Sequence, residues 1–119
     1  MDVKKAGMGG EAPFCQIKAV WRKLQGLQAK LNGDHGVGLD EAILLCCLSR
    51  RCNCQGDIAR ETGLSSTQAS RLLSKLENKG LVERSIGQDD RRKMVFSLNK
   101  KGIAKLDEIS PLGVDFLNQ

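Results

Sequence analysis

Residues 55–80 read QGDIARETGLSSTQASRLLSKLENKG, and the reading of this stretch decides the fold. A short helix fits from Gly56 to about Thr62, with Ile58 and Ala59 facing inward. Gly63 supplies a tight turn and Leu64 packs beneath it. Ser65 then opens a longer helix with Gln68 three residues on, the spacing of a capping box. Within that helix Ala69, Leu72, Leu73 and Leu76 form an apolar stripe, and Lys79 with Gly80 ends it. A short helix, a glycine turn and a longer amphipathic helix make a helix-turn-helix. Ala59 is small where the two helices must cross.

Downstream, the periodicity changes from helical to alternating. Residues 81–86 (LVERSI) and 94–98 (MVFSL) read as two strands, joined by the charged tip GQDDRRK at 87–93. The fold class is therefore mostly α with a small two- or three-stranded antiparallel wing, a winged helix-turn-helix of the α+β type. Asn99 to Gly102 leads into a last helix through Ile103, Leu106 and Ile109, expected to stop before Pro111. This leaves an apolar tail at 111–119. Upstream, residues 1–13 read as a flexible arm, and the winged domain is expected to span 14–110. Ile17, Val20, Leu24, Leu27 and Leu31 recur at steps of three and four, with Phe14 and Trp21 widening the stripe. That stripe serves either as core packing or as a dimer seam. Gly33 and Gly36 to Gly38 are expected to end this helix. A second helix starts near Asp40 and Glu41. Its body from Ala42 to Leu48 is apolar nearly all round, which predicts a central position.

Composition narrows the function. A chain of 119 residues suits one domain. Aromatic residues are only 3%, too few for folds that stack single-stranded bases. The single histidine, His35, argues against His-dependent triads and multi-histidine metal sites. No Gly-rich phosphate loop, paired acid site or activated nucleophile is visible, so no enzyme and no cofactor are expected. The apolar run at 42–48 falls far short of the ~20 residues that span a membrane, and residues 1–13 lack an apolar signal core. Five cysteines then read as reduced thiols, and the expected location is cytoplasmic.

A net charge of +5 suits a polyanionic partner. The outer face of the longer helix carries Ser66, Thr67, Gln68, Ser70, Arg71 and Lys75, the side chains a recognition helix presents to the major groove. Arg71 can donate two hydrogen bonds to guanine, and Gln68 and Ser70 both donate and accept. Arginine at a wing tip suits the minor groove, where narrow width concentrates negative potential. Arg84, Lys93, Lys100 and Lys101 are candidate phosphate contacts.

The segments Ile58-Ala59, Gly63-Leu64-Ser65, Leu76-Glu77, residues 79–84 (KGLVER), Asp90-Arg91-Arg92 and Leu98 with Gly102 resemble the MarR family of winged-helix transcription regulators. Leu39 to Leu48 resembles the helix that precedes the family's DNA-binding motif. The resemblance implies a DNA-binding regulator, usually a repressor, acting as a homodimer on an inverted repeat of double-stranded DNA. The family's wing aspartate lies eight residues before the leucine that closes the second strand. With Leu98 in that place, the matching pair is Asp90 and Arg92. Ser70 and Arg71 correspond to positions that touch DNA in relatives. Asn99 stands where the family usually has Thr. Relatives dimerise through their N-terminal and C-terminal helices, and many respond to a small-molecule effector.

Two other readings remain open. A winged helix can bridge proteins without reading DNA. Alternatively, Cys46, Cys47, Cys52 and Cys54 form a thiol cluster suited to metal binding or oxidation, making the chain a redox- or metal-sensing variant. Against that, Cys46 and Cys47 sit in an apolar helix, where a thiol behaves as a small hydrophobe.

Overall fold

The structure, a computed structural model, describes residues 12–50, 53–87 and 92–118. In chain order these form α1 (Pro13–Lys30), a π-helical turn (Leu31–His35), α2 (Leu39–Arg50), α3 (Gln55–Thr62), α4 (Ser66–Asn78), β1 (Val82–Ile86), β2 (Met94–Leu98) and α5 (Lys100–Leu117).

The predicted central helix is α2, which packs against α3, α4, α5 and β2. Its Leu44 and Leu45 are fully buried. The expectation that it is covered all round holds for one side only, since Ile43 and Cys46 are exposed. Leu31, Val37, Ile58, Leu73, Leu76 and Phe96 complete most of the core around it. Each fully buried leucine of this kind contributes roughly 1.5–3 kcal/mol.

The end of α4 shows how sequence makes the join to the wing. Gly80 has φ 76°, a left-handed conformation that glycine adopts without a Cβ penalty. Its N–H donates to the Glu77 carbonyl and the Leu81 N–H donates to the Leu76 carbonyl, which is a Schellman stop. The strands β1 and β2 then pair antiparallel, from Val82 opposite Leu98 to Ile86 opposite Met94. A third strand is reduced to one bridge between Cys54 and Val95, with the Phe96 N–H donating to the Asn53 carbonyl at 2.7 Å.

Asn99 caps α5. Its side-chain oxygen accepts from the Gly102 N–H at 2.8 Å, and its Nδ2 donates to the Gly80 carbonyl at 2.7 Å. One side chain thus fastens the start of α5 to the end of α4. Gly102 is obligatory at this crossing, because an added Cβ would lie 2.1 Å from the Leu81 carbonyl oxygen.

Three local expectations are corrected. The last helix does not stop before Pro111 but continues to Leu117, so residues 111–117 are helical and not an irregular tail. Proline removes one backbone donor, yet Leu106 and Leu112 on either side both pack against the core and hold the helix together. The first helix begins at Pro13, whose fixed φ suits a first helical turn. At its other end the helical path passes Gly33 through the π-helical turn and stops at Gly36, with φ 69°. Finally, the stripe divides: Leu31 is buried in the core and Leu27 packs against it, whereas Ile17 and Val20, with Phe14 and Trp21, are exposed. Residues 1–11 of the expected arm lie outside the described residues. Among the described residues, no helix is long and apolar enough to cross a membrane.

Candidate nucleic-acid interface

The start of α4 is fixed by local hydrogen bonds. Gly63, at φ 76°, donates its N–H to the Ala59 carbonyl and turns the chain. Thr62 Oγ1 donates to the Ile58 carbonyl at 2.7 Å and accepts the Leu64 N–H at 3.3 Å. The predicted capping box is present in full. Ser65 Oγ accepts from the Gln68 N–H at 3.1 Å, and Gln68 Oε1 accepts from the Ser65 N–H at 3.0 Å. Such a cap contributes typically about 1 kcal/mol.

Ala69, Leu73 and Leu76 are fully buried on one side of α4. Ser66, Thr67, Gln68, Ser70, Arg71 and Lys75 are all exposed on the other. Thr67, Arg71 and Lys75 follow one another at i, i+4, and Ser66 and Ser70 form the adjacent row. The six polar side chains named from the sequence therefore share one continuous face. Gln68 divides its work, since its carbonyl oxygen is engaged in the capping box.

At the wing, the Gly87 N–H donates to the Lys93 carbonyl at 2.9 Å and closes the described part of the hairpin. Arg92 and Lys93 are exposed there, while Asp90 lies outside the described residues. Arg84 is placed differently from the other cations. Its Nη2 donates to Glu77 Oε1 at 2.7 Å, and its guanidinium lies 5.1 Å from the centroid of the Phe96 ring. Arg84 thus braces the first wing strand against the recognition helix. Lys100 and Lys101 are exposed at the start of α5.

Between α3 and the wing, Cys54 Sγ donates to Asp57 Oδ2 at 3.0 Å, and Arg60 pairs with the same carboxylate. The thiol hydrogen bond, followed by the charges of Arg60 and Lys93, holds the Asp57 carboxyl below its ordinary value. Cys46 is exposed and Cys47 is half-buried. Cys52 lies outside the described residues, and among those described no three His, Cys, Asp or Glu side chains converge on a metal site.

One contact at the interface lacks any local sequence signal. Gln55 Nε2 donates to both the carbonyl and the hydroxyl oxygen of Ser66, eleven residues on. Only the helix-turn-helix geometry brings these two together.

Residues 55–93 match the family model described as the MarR family. The fold is similar to a probable transcriptional regulator from Pseudomonas aeruginosa, with a TM-score of 0.77 and 24% identity over 95% of this chain and 81% of that one. It is similar to the S. aureus MepR–DNA complex, with a TM-score of 0.80 and 20% identity over 88% of this chain and 78% of that one. It is also similar to AbsC, a MarR family transcriptional regulator from Streptomyces coelicolor, with a TM-score of 0.78 and 22% identity over 87% and 71% of the two chains. A sequence comparison with curated proteins finds no match. Residues 55–93 of this chain are thus similar to the MarR family, and the chain as a whole has the winged-helix fold of these solved structures.

Proposed function

We propose that the protein is a sequence-specific regulator of transcription, acting as a repressor, that binds double-stranded DNA as a homodimer. The observation that carries this reading is the division of α4 into a fully buried apolar side and a continuous polar side bearing Ser66, Thr67, Ser70 and Arg71. In this account α4 enters the major groove, with Arg71 donating to a guanine edge. Arg92 enters the adjacent minor groove, and Lys93, Lys100 and Lys101 meet phosphates. Arg84 acts through the wing it braces.

The homodimer reading rests on α1. Phe14 is 82% exposed and Trp21 60%, with Ile17 and Val20 between them also exposed. On α5, Val114 and Leu117 are exposed apolar side chains as well. A second copy would cover these side chains and set two recognition helices about one DNA turn apart, on an inverted repeat. An effector would act by favouring a spacing of the two helices that does not fit DNA. We place such a molecule in the open groove bordered by Trp21, Gln28, Leu39, Ile43 and Gln68, which reaches the first turn of α4.

Selection from a pool of random duplexes tests the reading. A shared inverted repeat is the expected outcome. Retention without a shared motif, insensitive to salt, would instead favour a protein-bridging winged helix, because phosphate binding weakens as salt rises.

A further inference from the structure

Ser66 is the first residue of the recognition helix and Gln55 is the first residue of α3. Gln55 reaches across the turn with its amide, donating to the Ser66 carbonyl at 3.1 Å and to Ser66 Oγ at 3.0 Å. A primary amide has two hydrogens, and Ser66 offers an acceptor for each. The geometry has a chemical consequence for the serine. A hydroxyl carries one hydrogen and two lone pairs. With a lone pair taken up by Gln55, Ser66 keeps its hydrogen for a further partner while it remains exposed to solvent.

We infer that Gln55 is a positioning residue for DNA recognition, holding the Ser66 hydroxyl as a hydrogen-bond donor to an acceptor atom of the duplex. The inference rests on the DNA-binding reading above and names a residue and a bond direction within it. In the free protein Ser66 is exposed and Gln55 half-buried, and water competes for the contact. On a docked duplex water is excluded, so the Gln55–Ser66 bond strengthens when the serine is needed. The partner on DNA is an acceptor in either case, a phosphate oxygen or a base atom such as guanine O6 or N7.

A double-mutant cycle on the duplex that the wild-type protein selects from a random pool tests this. Gln55→Ala and Ser66→Ala should each weaken binding about three- to tenfold, the worth of one hydrogen bond. The double variant should bind within about twofold of Ser66→Ala alone, as expected when one residue acts through the other. Gln55→Glu should weaken binding at least as much as Gln55→Ala, since a carboxylate accepts the serine hydrogen and reverses the bond. Repeating the selection with Ser66→Ala separates the two acceptors. A changed preference at one position of each half-site identifies a base, and uniform weakening identifies a phosphate.

Thermal unfolding of the same variants separates positioning from simple fastening. Additive losses of affinity that track losses of stability would overturn the inference, as would unchanged binding by Gln55→Ala. If the wild-type protein selects no duplex, the DNA-binding reading fails and the role of Gln55 fails with it.

Discussion

Lys79, the C-cap residue of α4, places its Nζ 2.8 Å from the carboxylate of Glu41 on α2, a residue only 1% exposed. The same ammonium donates to the Gly36 carbonyl at 2.8 Å, and Glu41 also accepts the Gly38 N–H at 2.7 Å. A buried carboxylate is tolerated only where its charge is paired and hydrogen-bonded. These bonds therefore tie the end of α4 to α2 and to the loop that precedes it.

Lys79→Met should destabilise the fold by roughly 2 kcal/mol, below the ~3–5 for a fully buried pair because Lys79 keeps some contact with water. Urea unfolding measures this loss. Glu41→Gln in the Lys79→Met background should recover part of it, since the orphaned charge is then gone. No recovery would contradict the pairing argument.

Gly102→Ala forces a methyl group toward the Leu81 carbonyl, a backbone atom that cannot swing aside. The junction of α5 with the wing must shift, at a cost of about 1–3 kcal/mol or more. The expected observation is a lower thermal midpoint with broadened amide resonances in 81–82 and 98–102. Unchanged stability would mean that the helix crossing is looser than described.

Glu108 accepts from His35 Nδ1 at 2.6 Å and from Lys105 Nζ at 3.1 Å. These bonds, the histidine's first, hold its carboxyl below the ordinary value of 4.5. A carboxyl lowered in the folded chain stabilises the fold above its ordinary value and loses that contribution as pH falls through the lowered one. Stability of Glu108→Gln should therefore fall less than wild type as pH drops below 4.5. Parallel curves for the two proteins would contradict the assignment.

Val20→Glu places a charge in the exposed apolar stripe of α1. If that stripe joins two copies, the variant should sediment as a monomer while the wild type sediments as a dimer, with DNA affinity lost in proportion. A variant that remains dimeric would move the interface elsewhere.

The parts of this fold legible in the sequence are those written in local spacing. Ser65 with Gln68, Gly63 and the alternation around 81–86 each signal a conformation within a few residues, and each is found where expected. The polar face of α4 followed from the same periodicity. Pro111 misled because its cost is local while the packing of Leu106 and Leu112 that offsets it is tertiary. Glu41 read only as an acidic helix start, since its partner Lys79 lies 38 residues away. Gln55 was hidden for the same reason. Arg84 read as a phosphate contact because sequence cannot reveal that Glu77 and Phe96 already hold it.

The central claim is that the exposed face of α4 reads DNA sequence while the wing adds affinity. Its most direct test is binding of Arg71→Ala and Arg92→Ala to the selected duplex and to variants with single base changes. Arg71→Ala should weaken binding and flatten the preference at one position of each half-site, a difference of about 1–3 kcal/mol for a lost bidentate contact. Arg92→Ala should weaken binding to all the duplexes alike. If both variants bind every duplex as the wild type does, α4 and the wing do not dock on DNA in this way.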